Sequence, residues 1–94
     1  MKKIIAIDVG NSETTVGVGN SKSWEGYRFT TRKTITSDEL LMMFKTIVDL
    51  DPIKENLIEG AIICSVVPQI TNSVATATSR FISKEAIVVG PGVK

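Results

Sequence analysis

The fold is decided by the stretch IIAIDVGNSETTVGV, Ile4 to Val18, in which two apolar segments flank a short polar one. Lys3 to Val9 and Thr14 to Gly19 are rich in Ile and Val, and Gly, Asn and Ser lie between them. This pattern is typical of two strands joined by a turn, so we predict a β-hairpin. Asp8 interrupts the first apolar segment at its end, and the position of this carboxylate needs an explanation.

The sequence after the hairpin predicts a third strand and a helix. Gly19 to Lys22 forms a second reversal, and Trp24 to Thr31 continues as a strand with Tyr27 and Phe29 on one face. Thr36-Ser37-Asp38-Glu39 has the form of a capping box, which opens a helix. Asp51-Pro52 is a stop signal, so the helix is predicted to end near Leu50. Its apolar residues follow helical spacing: Leu40, Leu41, Phe44, Ile47 and Val48.

The second half of the chain predicts a strand, a helix and a last short strand. Ala61 to Val67 is a continuous apolar run between Gly60 and Pro68, typical of a strand covered on both faces. Within it, Cys64 is predicted to be a small buried core residue. A helix begins at Pro68, and Ala86 to Val89 forms the last strand. The order βββαβαβ predicts an α/β fold with a mixed five-stranded sheet, whose antiparallel strands lie toward one edge.

Composition narrows the classes of function. Ninety-four residues fit one domain with a modest core. Eleven basic residues against ten acidic ones give no strong positive field, so neither nucleic acid nor a membrane surface is an expected partner. With one cysteine and no histidine there is no zinc cluster. The sequence begins with two lysines and a few apolar residues, but Asp8 ends this run before it is long enough for a signal peptide or a membrane span. We therefore expect a cytoplasmic protein.

The polar turn brings backbone N–H groups, hydroxyls and one carboxylate together. Backbone N–H groups and hydroxyls can hold phosphate oxygens, whereas the carboxylate of Asp8 would act through a magnesium ion or its waters. An Asx-type turn made by Asp8 and Asn11, without any ligand, explains the same residues. Composition alone does not separate the two interpretations.

Four motifs in order resemble one family, the type III pantothenate kinases of the acetate kinase, sugar kinase, Hsp70 and actin superfamily. IDVGNSETTVGV, Ile7 to Val18, resembles the family's first phosphate loop. YRFTTRKTITSDEL, Tyr27 to Leu40, and GAIICSVVPQIT, Gly60 to Thr71, are similar to the next two motifs. VVGPGVK, Val88 to Lys94, resembles the fourth. Together they span nearly the whole chain.

The resemblance implies a ribonuclease H-like (actin-like ATPase) lobe and phosphorylation of pantothenate by ATP, the first step of coenzyme A synthesis. It implies Mg2+ and a monovalent cation, K+ or NH4+, as cofactors, and a homodimer. Asp8 would position the metal, and Gly90, Pro91, Gly92 and Lys94 would lie on the pantothenate side. The residues implied to bind ATP form one run: Asp8, Val9, Gly10, Asn11, Ser12, Glu13, Thr14 and Thr15.

Departures from the family pattern limit what the resemblance implies. Residues 1–94 correspond to a single lobe, and the segments of the second lobe, including the general-base Asp, are not in this sequence. We therefore expect no kinase activity from this chain alone. Glu13 replaces a neutral residue, and a carboxylate beside phosphates is unfavourable unless it faces away or meets a metal. A self-associating module without chemistry is the alternative; a ribonuclease H-type nuclease, which needs several convergent carboxylates, is disfavoured.

Overall fold

A computed structural model describes residues 2–50 and 58–89. Its elements follow the predicted order, and most of their bounds lie within one residue of the predictions; β4 differs by up to three. They are β1 (Lys3–Val9), β2 (Glu13–Gly19), β3 (Trp24–Thr30), α1 (Ser37–Leu50), β4 (Ile58–Ser65), α2 (Pro68–Ile82) and β5 (Ile87–Val89). The stop signal Asp51-Pro52 lies outside the described residues.

The five strands form one mixed sheet in the order β3-β2-β1-β4-β5, with β1 in the centre. β1, β2 and β3 pair antiparallel, whereas β1, β4 and β5 pair in parallel. The predicted mixed sheet, with its antiparallel strands toward one edge, is confirmed. Because β1, β4 and β5 run in the same direction, their carboxyl ends meet at one edge of the sheet.

Both helices pack on one face of the sheet and form the core with it. Phe44 of α1 meets Phe81 of α2 with ring centroids 5.9 Å apart, and the exposed pair Arg80–Asp38 joins the same helices at 2.7 Å. The helical spacing of the apolar residues in the sequence of α2 predicts one buried side, and all six residues on it are buried: Ile70, Val74, Ala77, Thr78, Phe81 and Ile82. In the apolar stripe of α1, Leu40, Phe44 and Ile47 are buried. The strand residues that face the helices and are buried are Ile5, Ile7, Val9, Thr14, Val16, Val18, Ile58, Ala61, Ile63 and Ser65.

No described helix covers the opposite face of the sheet, which we call the open face. The prediction that β4 is covered on both faces is therefore wrong: its residues alternate between buried and exposed. Cys64, predicted to be buried, is exposed, because it points away from the helices while its neighbour Ile63 points toward them. By strand register the open face consists of Ile4, Ala6, Asp8, Glu13, Thr15, Gly17, Gly19, Trp24, Gly26, Arg28, Thr30, Gly60, Ile62, Cys64, Ile87 and Val89.

The predicted capping box opens α1. The Thr36 hydroxyl accepts the N–H of Glu39 at 3.1 Å, and the N–H of Thr36 donates to Glu39 Oε1 at 3.1 Å. Arg32 adds a 3.1 Å ion pair to Glu39 Oε2. The backbone hydrogen bond from Thr36, followed by the bond from Arg32, lowers the pKa of Glu39 below its usual value.

Glu39→Ala is expected to lower the melting temperature at neutral pH, because Thr36 and Arg32 lose their acceptor. A carboxyl with a lowered folded-state pKa stabilises above its unfolded value and loses that contribution as the pH falls through the folded pKa. The difference from wild type should therefore shrink below about pH 4. Calorimetric melting at several pH values checks this, with the exposed Glu85→Ala as control; a difference independent of pH would contradict it.

Candidate functional site

The turn between β1 and β2 consists of Gly10, Asn11 and Ser12. The N–H of Gly10 donates to the carbonyl of Glu13 at 2.9 Å, which closes the turn. A Cβ at Gly10 would lie 2.9 Å from that same carbonyl oxygen, so only glycine fits without a shift of the backbone. Asn11 and Ser12 are exposed. Two polar side chains are therefore presented to solvent by a turn of fixed geometry.

Thr31, just past β3, anchors the turn from the other side. Its N–H donates to the carbonyl of Ser12 at 2.9 Å, and its hydroxyl is hydrogen-bonded to that of Thr14 at 2.8 Å. Thr14 is 1% exposed and points to the helix side of the sheet. Its hydroxyl thus holds the turn against β3, in contrast to the exposed side chains of Asn11 and Ser12.

Asp8 and Thr15 are paired neighbours on the open face, next to the turn. They line a depression of about 420 Å3 whose other walls come from β1, β2 and β4, including Cys64. Asp8 is exposed, so its carboxylate is free to meet a hydrated cation. Within residues 2–50 and 58–89 no three Asp, Glu, Cys or His side chains converge as a metal site. A divalent ion here would depend on Asp8, water and the ligand's own oxygens.

Glu13 forms a long ion pair that draws it toward β3. Its Oε1 lies 3.8 Å from Nη1 of Arg28, and both side chains are more than half exposed. Such a pair contributes little to stability because water screens it. The carboxylate of Glu13, which is expected to repel bound phosphates, therefore has the guanidinium group of Arg28 beside it.

The segment after β4 lies at the same edge of the sheet as Asp8 and the turn. None of its residues is among the candidate site residues predicted from the sequence. The N–H of Val66 donates to the carbonyl of Val9 at 3.0 Å, directly before the turn. The buried hydroxyl of Ser65 accepts from the N–H of Val67 at 3.2 Å and from the Thr71 hydroxyl at 2.8 Å. These bonds fix the start of α2. The sequence signals for this segment were the polar Ser65 between apolar residues, the helix start at Pro68 and the resemblance of Gly60 to Thr71 to a family motif.

The start of α2 adds N–H donors to this edge of the sheet. Pro68 occupies the first turn, and no side chain caps the helix. The first turn contains no acidic residue, so its N–H groups carry their partial positive charge without local neutralisation. These N–H groups lie beside the turn and Asp8, and their partial positive charge favours the binding of an anion.

Four of the predicted site residues, Gly90, Pro91, Gly92 and Lys94, lie outside the described residues. β5 ends at Val89, which pairs with Cys64, and Cys64 in turn pairs with Asp8. The last described residue before this motif therefore lies at the same edge of the sheet as Asp8.

Comparisons with known proteins agree on family and fold. Residues 4–94 match the family model described as "Type III pantothenate kinase". Proteins of that name from Bifidobacterium longum subsp. infantis and Listeria welshimeri are 36% and 39% identical over 92 residues. The match covers 97% of this chain and 36% of each of those proteins, so the chain spans about a third of their length.

Solved structures of low sequence identity share the fold. YeaZ from Pseudomonas aeruginosa superposes with a TM-score of 0.70 at 9% identity, covering 96% of this chain and 44% of that one. RuvC of T. thermophilus, solved in complex with a Holliday junction substrate, gives 0.57 at 13% identity, covering 97% and 66%. The predicted ribonuclease H-like, actin-like ATPase fold is thereby confirmed.

Proposed function

Because the chain belongs to the type III pantothenate kinase family, we propose that it forms the ATP-phosphate-binding wall of a pantothenate kinase site. The observation that carries the proposal is the exposed carboxylate of Asp8 at the end of the central strand, beside a turn fixed by backbone hydrogen bonds. The reaction would transfer the γ-phosphoryl group of ATP to pantothenate, giving 4'-phosphopantothenate at the start of coenzyme A synthesis.

Each residue of the turn has a role in this proposal. The backbone N–H groups and side chains of Asn11 and Ser12 would hold phosphate oxygens, and Thr15 would add a hydroxyl from the open face. Val9 and Gly10 would act by fixing the turn, since the N–H of Gly10 is engaged with the carbonyl of Glu13 and Val9 is paired with Thr14. Thr14 would act indirectly, since its hydroxyl is engaged with Thr31. The N-terminus of α2 would favour the negative charge of the same group.

The cofactors proposed are ATP, Mg2+ and a monovalent cation, K+ or NH4+. Asp8 fits a magnesium ion held through water, because a single exposed carboxylate with phosphate oxygens nearby is a usual arrangement for this hard cation. The bound ion would supply neutralisation of the phosphate charge during transfer. Gly90, Pro91, Gly92 and Lys94 are proposed to lie on the pantothenate side.

A complete site needs more than this lobe. We propose that residues 1–94 form one actin-like lobe and that a complementing second lobe, or a second chain, supplies the opposite wall and the general base. The described part of the chain holds no helix with the length and apolar character to cross a membrane. With a metabolic kinase as the family, we place the protein in the cytoplasm.

Asp8→Asn is expected to abolish the binding of Mg2+-ATP, since the amide loses the charge that holds the hydrated ion. Titration calorimetry of the 94-residue chain with Mg2+ and ATP measures this. We expect weak binding by wild type, in the millimolar range, and no heat from the variant.

Glu13→Gln is the matched control, because it removes a neighbouring carboxylate that only disturbs the phosphates in this proposal. It should bind Mg2+-ATP as well as wild type or up to about tenfold more tightly. No binding by wild type at any practical ATP concentration, or equal binding by wild type and Asp8→Asn, would overturn the proposed role of the turn.

A non-catalytic, self-associating module is the second candidate function. The observation that favours it is the open face, where Trp24, Ile62, Ile87 and Val89 are between about a third and two thirds exposed. Apolar side chains in one continuous patch are typical of an interaction surface.

A further inference from the structure

We infer that Arg28 is a phosphate-binding residue of the candidate site: its guanidinium group exchanges its present partner, the carboxylate of Glu13, for phosphate oxygens of bound ATP. Because ATP reaches this edge of the sheet only under the proposed function, the role of Arg28 rests on that function. The position of the guanidinium group, the weakness of its ion pair and the charge balance of this edge support the role.

The guanidinium group of Arg28 reaches from β3 across to β2, next to the turn. By strand register Arg28 pairs with Thr15, and Thr15 pairs on its other side with Asp8, so the three residues form a row across the open face. Nη1 of Arg28 lies 3.8 Å from Oε1 of Glu13, the residue that directly follows Ser12 of the turn. A phosphate group held by Ser12 and Thr15 would therefore have the guanidinium group beside it.

The ion pair between Arg28 and Glu13 is weak enough to be exchanged. Its 3.8 Å distance exceeds the roughly 2.7–2.9 Å that is typical of a charge-assisted hydrogen bond. The two side chains are 70% and 61% exposed, so water screens the pair and it contributes little to stability. A polyphosphate carries several negative charges and, like a carboxylate, accepts two parallel N–H groups of a guanidinium. The exchange of partners therefore favours the phosphate.

The charge balance at this edge of the sheet calls for a cation. Among the described residues, the charged side chains at this end of the sheet and at the start of α1 are Asp8, Glu13, Arg28, Arg32, Lys33, Asp38 and Glu39. Three of them lie on the open face by strand register, and Arg28 is the one cation among those three. In the helix layer, Arg32 is held by Glu39 and Asp38 by Arg80. Arg28 is thus the cation placed to offset phosphate charge from the β3 side, as a magnesium ion at Asp8 would from the β1 side.

The three arginines of the chain allow a direct test by NMR spectroscopy. Each Nε–H group gives its own signal, and the signal that is missing in Arg28→Lys belongs to Arg28. During a titration with Mg2+ and ATP at constant ionic strength, we expect this signal to shift together with the backbone amide signals of Asn11 and Ser12. The signals of the other two arginines should not shift, because carboxylates in the helix layer hold them.

Arg28→Gln is expected to weaken the binding of Mg2+-ATP about tenfold, measured by the same titration, since a charged hydrogen-bond donor to the phosphates is lost. Arg28→Lys should give an intermediate affinity, because an ammonium group keeps the charge and loses the bidentate geometry. Arg80→Gln is the matched control: this arginine lies on α2, pairs with Asp38, and its removal should leave the affinity unchanged.

A double substitution separates contact with the phosphates from mere neutralisation of Glu13. If Arg28 only masked the Glu13 carboxylate, Arg28→Gln would have no effect once Glu13→Gln has removed that charge. We expect instead that Arg28→Gln still weakens binding about tenfold in the Glu13→Gln background. Circular dichroism verifies that each variant is folded.

Unchanged affinity in Arg28→Gln, with ATP-dependent shifts of the Asn11 and Ser12 signals, would overturn the role of Arg28 and leave the proposed function intact. An effect that disappears in the Glu13→Gln background would also contradict phosphate contact. A shift of the Arg28 signal with pantothenate and not with ATP would assign the guanidinium group to the carboxylate of the acceptor and overturn the role as well. Titration with ATP that shifts none of these signals would overturn both the role and the proposed function.

Discussion

Pantothenate kinase turnover by the isolated 94-residue chain is expected to lie at least about a thousandfold below that of a full-length relative, such as the Listeria welshimeri protein. Phosphoryl transfer depends on positioning the nucleotide and the acceptor and on neutralising charge around the transferred group. The described residues offer two exposed carboxylates, Asp8 and Glu13, one turn and one helix N-terminus, all at one edge of a single sheet. Within residues 2–50 and 58–89, no residue lies on an opposite wall where it could hold the acceptor in line.

A coupled assay of ADP release with and without pantothenate measures this, and the full-length relative in the same buffer is the positive control. Asp8→Asn of the short chain serves as the blank for contaminating kinases. Pantothenate-dependent turnover within tenfold of the relative, abolished by Asp8→Asn, would show that residues 1–94 hold a complete catalytic site and would contradict the single-wall proposal. Mixing the chain with the carboxyl-terminal part of that relative should raise the rate.

Phe44→Ala is expected to lower the free energy of unfolding by about 3–5 kcal/mol. The Phe44 side chain is 1% exposed and packs on Phe81, so its removal leaves a cavity between the two helices and the sheet. A domain of this size has a total stability of only about 5–14 kcal/mol. The variant should therefore be largely unfolded at moderate urea concentrations.

Equilibrium urea unfolding followed by circular dichroism checks the effect of Phe44→Ala. The control is Met42→Ala on the same helix, whose exposed side chain should contribute less than about 0.5 kcal/mol. A loss below about 1 kcal/mol for Phe44→Ala would contradict the packing of α1 on α2 described here.

Local patterns predicted most of the elements of this fold. The Thr36–Glu39 capping box and the apolar spacing of α1 are set by residues within a few positions of one another, so the bounds of the helix could be read from the sequence. The turn at Gly10 to Ser12 could likewise be predicted from residues that are adjacent in the sequence. The pairing of the turn with Thr31 was not, because it depends on where β3 lies.

The candidate site could be predicted in part. Asp8, Asn11 and Ser12 were identified from one contiguous motif, and the structure presents all three to solvent. Ser65 and Val66 reach the same edge only through a parallel pairing between β1 and β4, strands about fifty residues apart in the chain. No pattern near Asp8 indicates that neighbour.

The sequence by itself determined the order βββαβαβ, the hairpin, the helix start at Thr36 and the membership of the family. The tertiary structure alone decided which side chains the core covers: Cys64, predicted to be buried, is exposed, and Thr14, which the family resemblance includes among the ATP-binding residues, is buried. The reason is that the apolar run of Ala61 to Val67 has no alternation, so its composition does not distinguish the two faces of the strand. That distinction comes from the helices, which pack on one side of the sheet.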